Sequence, residues 1–212
     1  MKGKVYLLLL VLMTSMLCHA QQKSQRICDS TLLVNLLNSE RIDKKFGGYG
    51  LEVLYNTPQL RVSNLYDGKK ITRTLAIVDY PATIDSSFSA EHQLIVNGGS
   101  IGSTFKSHGW KIEKKNIYLG ELAPSADYNK LYQQMGNIQP SKLSVWIYVF
   151  NIQKDGKEYS YATISEVYHP AFLSLEDLKC INSNADKYLE RTKTVNAELK
   201  KVTKLMKLDF KK

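Results

Sequence analysis

Three charged side chains stand where alternation calls for apolar ones. In the stretch ATISEVYHPA, residues 162–171, strand geometry puts Glu166 on one face with Ala162, Ile164 and Tyr168, while Thr163, Ser165 and Val167 share the other. A carboxylate on an apolar face must be paired with a cation, held protonated, or left to meet a ligand. Arg73 likewise interrupts a row formed by Ile71, Leu75 and Ile77, and Arg61 shares its face with Ser63 and Leu65. If the strands bearing these residues are neighbours, the cations and the carboxylate either close into core salt bridges or face a common polar cavity. The sequence leaves both arrangements open.

A second constellation is Gly98-Gly99-Ser100-Ile101-Gly102, which matches G-x-S-x-G, the turn that presents a nucleophilic serine in α/β-hydrolases. Ser100 would need His108 or His169 as its base. It would also need a strand before it, which HQLIVN could supply, and a long helix after it, which Gly109 cuts short. No parallel sheet is in prospect, so serine hydrolysis is the weaker reading. His92, His108 and His169 have no metal-site spacing among themselves or with the cysteines, and neither a metal nor a cofactor is expected.

The elements that must position these residues are mostly strands. The segment CDSTLLVNLLNSERIDKKFGG predicts a helix capped near Asp29 or Ser30, with Leu32, Leu33, Leu36 and Leu37 on one side and Gly47-Gly48 ending it. YGLEVLYN follows as a strand. QLRVSNLY and ITRTLAIVDYP, joined at Asp67-Gly68-Lys69-Lys70, predict a hairpin. WKIEKKNIYLGEL reads as a strand pair or one bent strand, and PSADYNKLYQQMG as a short helix or lid. LSVWIYVFNI and EYSYATISEVYHP, joined at Lys154-Asp155-Gly156-Lys157, give the clearest hairpin in the chain.

Ser174 and Asp177 form a capping box for a C-terminal helix. Leu178, Ala185, Thr192, Leu199 and Met206 then recur every seven residues, broken by Asn182-Ser183-Asn184. This stripe predicts packing on the chain's own sheet in preference to self-association through the helix. With hairpins in the middle, helices at both ends and no βαβ rhythm, the fold class is α+β, an antiparallel sheet with flanking helices and a long C-terminal helix.

Residues 1–20 read as an export signal: Lys2 and Lys4, an apolar run from Val5 to Met13, and Cys18-His19-Ala20 as the cleavage site. The expected location is periplasmic or secreted. No later stretch approaches the roughly 20 apolar residues of a membrane span. The remaining chain divides into an α+β domain over residues 21–173 and a basic helical extension over 174–212. Net charge is +9 for all 212 residues, and much of the surplus lies among the lysines from Lys200 onward, which reads as a solvated helix face. Nucleic acid is not an expected partner, since export and the absence of a basic-aromatic motif count against it. Cys28 and Cys180 can pair in an oxidising compartment or remain buried thiols; pairing would close a loop worth about 4–5 kcal/mol.

The order of motifs resembles the chorismate lyase family, whose members release pyruvate from chorismate to give para-hydroxybenzoate. LRVSNLYDGKK is similar to that family's arginine strand and turn, and TRTLAIVDYP to the strand that follows. NGGSIGSTF resembles its glycine-bearing turn, and DGK with ISEVYHPA resembles its closing hairpin. The resemblance covers about residues 61–171. It implies a small aromatic acid buried beneath flaps, with Arg61 on the ligand carboxylate and Glu166 at the other polar end. Ile101 and Gly102 would give backbone contacts; face parity adds Arg73 as a further candidate ligand-binding cation. It also implies either lyase activity carried by Arg61 and Glu166 or a binding module that kept the fold without the chemistry.

Overall fold

The computed structural model describes residues 36–182 and 184–209. Six strands form one antiparallel sheet: β1 (Tyr49–Asn56), β2 (Leu60–Asp67), β3 (Thr72–Asp79), β4 (Lys111–Leu122), β5 (Leu143–Lys154) and β6 (Lys157–Tyr168). Their order is β1-β2-β3-β6-β5-β4. Each half of the sheet is thus a three-stranded meander, and the halves meet where β3 pairs with β6. Among the described residues six helices flank the sheet: α1 (Asn38–Phe46), α2 (Ser89–Val96), α3 (Ile101–Ser107), α4 (Asn129–Gln134), α5 (Leu175–Ile181) and α6 (Lys193–Met206). The architecture is α+β, as the hairpin pattern predicts.

Both faces of the sheet are buried, each by its own apolar cluster. One face joins Leu65, Ala76, Val78, Trp146, Phe150 and Ile164 to Ile42 of α1, Ile95 of α2, Phe105 of α3 and Leu178 of α5. Phe88, Phe105, Trp110 and Tyr161 pack edge to face on this side, with the Phe105 and Tyr161 centroids 4.7 Å apart. The opposite face carries Val62, Leu75, Ile77, Val145 and Val167 against Leu131 of α4 and Val195, Leu199, Val202 and Met206 of α6.

Two expectations for the helices need correction. Leu37 is extended, with φ −65° and ψ 156°, so helix α1 begins at Asn38 and Leu36 and Leu37 are not on a helical face. The Glu40 carboxylate fixes this start by accepting the Leu37 N–H at 2.7 Å. The expected cap at Asp29 or Ser30 lies outside the described residues. At the other end the helix breaks where Asn182-Ser183-Asn184 predicts, but the C-terminal helix restarts later than the Asn184 that these turn formers imply. The Ser174–Asp177 capping box opens α5 as expected, but α5 stops at Ile181, a 3₁₀ turn follows at Ala185–Tyr188, and α6 restarts with Thr192 as its cap. The apolar stripe of α6 is buried on its own sheet, so it offers no free seam for self-association. Cys180 is disulfide-bonded; Cys28, its expected partner, lies outside the described residues, as do residues 1–20.

Candidate functional site

The sheet face beneath α1 and α3 carries a half-open chamber of about 70 Å³. Arg61, Glu166, Ile101 and Gly102 all line it, together with the apolar walls Leu51, Leu65, Val78, Phe150 and Ile164. The register explains the placement. Arg61 of β2 is opposite Val78 of β3, which is opposite Ile164 of β6; Glu166 is opposite Ala76 of β3 and Trp146 of β5. Arg61 and Glu166 are therefore two strands and two residues apart, roughly 12 Å between α-carbons from standard sheet spacings. They face one chamber without forming a closed pair.

Arg61 is 1% exposed and its guanidinium is largely committed. Nε donates to Ser63 Oγ at 2.8 Å, and Nη1 donates to the carbonyl oxygens of Ile95 at 2.8 Å and Gly99 at 2.9 Å. These carbonyls belong to the last turn of α2 and the glycine turn after it, where a cation is favoured by the helix dipole; the Ile95 carbonyl also accepts the Gly98 N–H at 3.0 Å. Arg61 thus ties down the turn that carries Ser100, Ile101 and Gly102 over the chamber. Nη2 remains outside these contacts, so a bidentate grip on a carboxylate is not on offer. Gly102 lies close under Leu37: a Cβ there would come within 2.8 Å of Leu37 Cδ2, so the leucine tip would have to shift.

Glu166 is 4% exposed and held by several groups. Oε1 accepts from Asn38 Nδ2 at 2.9 Å and Oε2 from the Tyr168 hydroxyl at 2.6 Å. The nearest cation is Lys114 of β4, whose Nζ is 3.9 Å from Oε2. The Asn38 amide also donates to Thr74 Oγ1 at 3.0 Å, and this orientation is dictated by the glutamate acceptor. Its own Oδ1, buried and on the chamber wall, has no hydrogen-bond partner among the described residues. A buried acceptor of this kind calls for a donor from water or ligand.

Lys114 was hidden from sequence reasoning, as were Asn38 and Tyr148. Its ammonium is 4.5 Å from the ring centres of both Trp146 and Tyr148. Burial pushes its pKa down; the Glu166 carboxylate works against that and the Arg41 cation with it. Burial and the same carboxylate push the Tyr148 and Tyr168 phenols well up. Lys114 and Leu37 also line a second, larger cavity of about 470 Å³, walled by Trp110, Trp146, Ile112 and Ile181 with Arg41 and Lys106. The two side chains thus stand on the boundary between chamber and cavity.

Arg73 does not belong to the chamber lining. A bulge opposite Leu65 and Tyr66 makes it the extra residue of β3. Its Nη2 donates to Asp67 Oδ2 at 2.7 Å and its Nε to the same oxygen at 3.0 Å, with the Phe46 ring stacked 3.8 Å from its guanidinium carbon. Burial raises the Asp67 pKa, but Arg73 and the N–H groups of Ile71 and Lys69 outweigh it and hold the carboxyl below its ordinary value. This pair closes the hairpin turn.

The context required for a Ser100 nucleophile is not met. HQLIVN is helical, running within α2 to its C-terminus, and α3 after Ser100 has seven residues. His108 Nδ1 is engaged by the Thr104 carbonyl, and His169 has Nε2 on the Met135 carbonyl while Nδ1 accepts the Ala171 N–H. Among the described residues no cluster of histidine, cysteine or acidic groups could hold a metal, and no helix is long and apolar enough to cross a membrane. The chain matches no protein-family model and no curated protein sequence.

Proposed function

We propose that this chain is an exported, chorismate-lyase-like protein that binds a small aromatic carboxylic acid at the chamber between Arg61 and Glu166. One observation carries the reading: residues from separate segments, Arg61, Ile101-Gly102 and Glu166, line a single apolar space. The charge pattern supports it. A ring is accommodated by Leu65, Val78, Phe150 and Ile164, a carboxylate is met by a cation of the wall, and a hydroxyl finds Glu166 and the open Asn38 Oδ1. Export is supported by the basic start, apolar run and small-residue end of residues 1–20.

The chamber as it stands is smaller than the roughly 150 Å³ that accommodates benzene in an engineered protein cavity. Binding therefore requires Leu37 and the α2–α3 turn to move outward, or the ligand to extend into the larger cavity. Elimination of pyruvate in such a site would rest on enclosure and orientation. The commitment of Arg61 to its own turn favours binding without turnover as the second reading. Calorimetric titration with 4-hydroxybenzoate tests the site, and incubation with chorismate while following pyruvate separates the two readings. Binding with pyruvate release makes it a lyase, and binding without release makes it a carrier. A folded protein that binds neither compound overturns both.

A further inference from the structure

We propose that Lys114 is the residue that reads the ligand's carboxylate, and that the anion sits at the junction of the two cavities with the larger part of the ligand against Trp146 in the 470 Å³ space. The inference rests on the reading of this region as an acid-binding site and changes both which cation does the recognition and where the ring lies, from the Arg61 chamber to the larger cavity. Three observations converge on it.

First, the cation placed by sequence in that role is otherwise engaged. Arg61 Nε and Nη1 hold Ser63, Ile95 and Gly99, whereas Lys114 brings an ammonium with three donors whose nearest carboxylate oxygen is 3.9 Å away, beyond hydrogen-bond reach. A mostly buried ammonium facing aromatic rings, with no acceptor in hydrogen-bond reach among the described residues, gains most from an incoming anion, because the surroundings screen the attraction weakly. Second, Lys114 lines both spaces, so an anion bound there is reachable from either. Third, the larger cavity has the size of a small-molecule site, which typically spans about 300–1,000 Å³. Among the described residues its charged lining is Arg41, Lys106, Lys114 and Glu113, with Lys106 paired to Glu40, and its tryptophan walls suit an aromatic body. The ligand class is a monoanionic aryl acid with its ring outside the Arg61 chamber.

The test compares 4-hydroxybenzoate with its neutral isostere 4-hydroxybenzamide on the full chain. The chain has two tryptophans, and both line the larger cavity, so intrinsic fluorescence reports occupancy there alongside calorimetry. Wild type is expected to prefer the acid and to change its tryptophan emission on binding. Lys114→Met is expected to lose about 10- to 100-fold in affinity for the acid while its affinity for the amide moves less than about twofold. Lys114→Arg is expected to restore most of the preference. Equal binding of the acid by wild type and Lys114→Met overturns the inference and leaves the proposed function standing, as does an equal loss for acid and amide. Binding that leaves the tryptophan emission unchanged also overturns it. If wild type binds neither probe, the proposed function falls and this inference falls with it. Thermal unfolding of each variant separates a binding defect from a folding one, since Lys114→Met also takes from buried Glu166 its nearest cation.

Discussion

Replacing Arg61 by methionine separates a residue that builds the site from one that touches the ligand. The substitution keeps much of the stem's volume and removes three hydrogen bonds, to Ser63 Oγ, the Ile95 carbonyl and the Gly99 carbonyl. A buried acceptor left without its donor costs about 1–3 kcal/mol. The Ile95 carbonyl keeps the Gly98 N–H at 3.0 Å and takes the lower part of that range, as does the partly buried Gly99 carbonyl. With the Ser63 bond included, the expected loss is about 2–4 kcal/mol. That is a large share of the roughly 5–15 kcal/mol stability of an ordinary domain. Urea unfolding followed by far-UV circular dichroism reads it as a lower midpoint with little change in slope. Arg61→Lys is expected to recover little, because a single ammonium on a flexible stem cannot reproduce the geometry that reaches Ser63 and both carbonyls. A drop below about 1 kcal/mol, accompanied by loss of 4-hydroxybenzoate binding, would refute the reasoning and return Arg61 to the role of a ligand contact.

Two further outcomes follow from groups near and away from the chamber. Asp67→Asn breaks the buried pair with Arg73 and is expected to cost about 3–5 kcal/mol in the same unfolding assay. Affinity for 4-hydroxybenzoate should stay within about twofold at temperatures where the variant is folded; a selective loss of binding would put Arg73 back in the site. The pH dependence has a defined sign. Lys114 has a folded pKa below its ordinary 10.5, lowered by burial and Arg41 against the pull of Glu166, with Tyr148 as its remaining titratable neighbour. The unfolded chain then holds that proton more tightly, so stability rises with pH through the lowered value toward 10.5. Above about pH 10 the unfolded tyrosines ionise while buried Tyr148 and Tyr168 resist, so stability falls again. Urea midpoints measured from pH 7 to 11 should give this rise and fall, and Lys114→Met should flatten the rise while keeping the fall.

The hairpins and the strand faces were legible because turn residues and period-two alternation are local properties. Face parity alone marks Glu166 as an acid among apolar neighbours, and that placement holds. The same parity misplaces Arg73, because a bulge inserts one residue into β3 and re-aims the side chain toward Asp67. It also hides Lys114. The run Glu113-Lys114-Lys115 looks like a solvated edge, and a second bulge near Ile117 is what sets Lys114 and Leu119 on the same face. Asn38 gave no signal, since its helix starts later than the leucine spacing implies and an asparagine at a helix start reads as a cap. The broken C-terminal helix was half visible: Asn182-Ser183-Asn184 marks the break, but not the 3₁₀ turn that delays the restart to Lys193.

The strand order has a kinetic consequence. Within the meanders β1-β2-β3 and β4-β5-β6 consecutive strands pair, through short turns except at the connection over 123–142 that carries α4, while the β3–β6 seam pairs residues 84 to 94 positions apart in the chain. Long-range pairing of this kind carries the larger loop-closure entropy and governs the folding rate of sheet proteins. Arg61 comes from the first meander and Glu166 from the second, so neither half owns the chamber. Its appearance marks the moment the halves dock. A ligand that binds there acts as a clamp across the seam, slowing the parting of the two meanders more than it speeds their meeting.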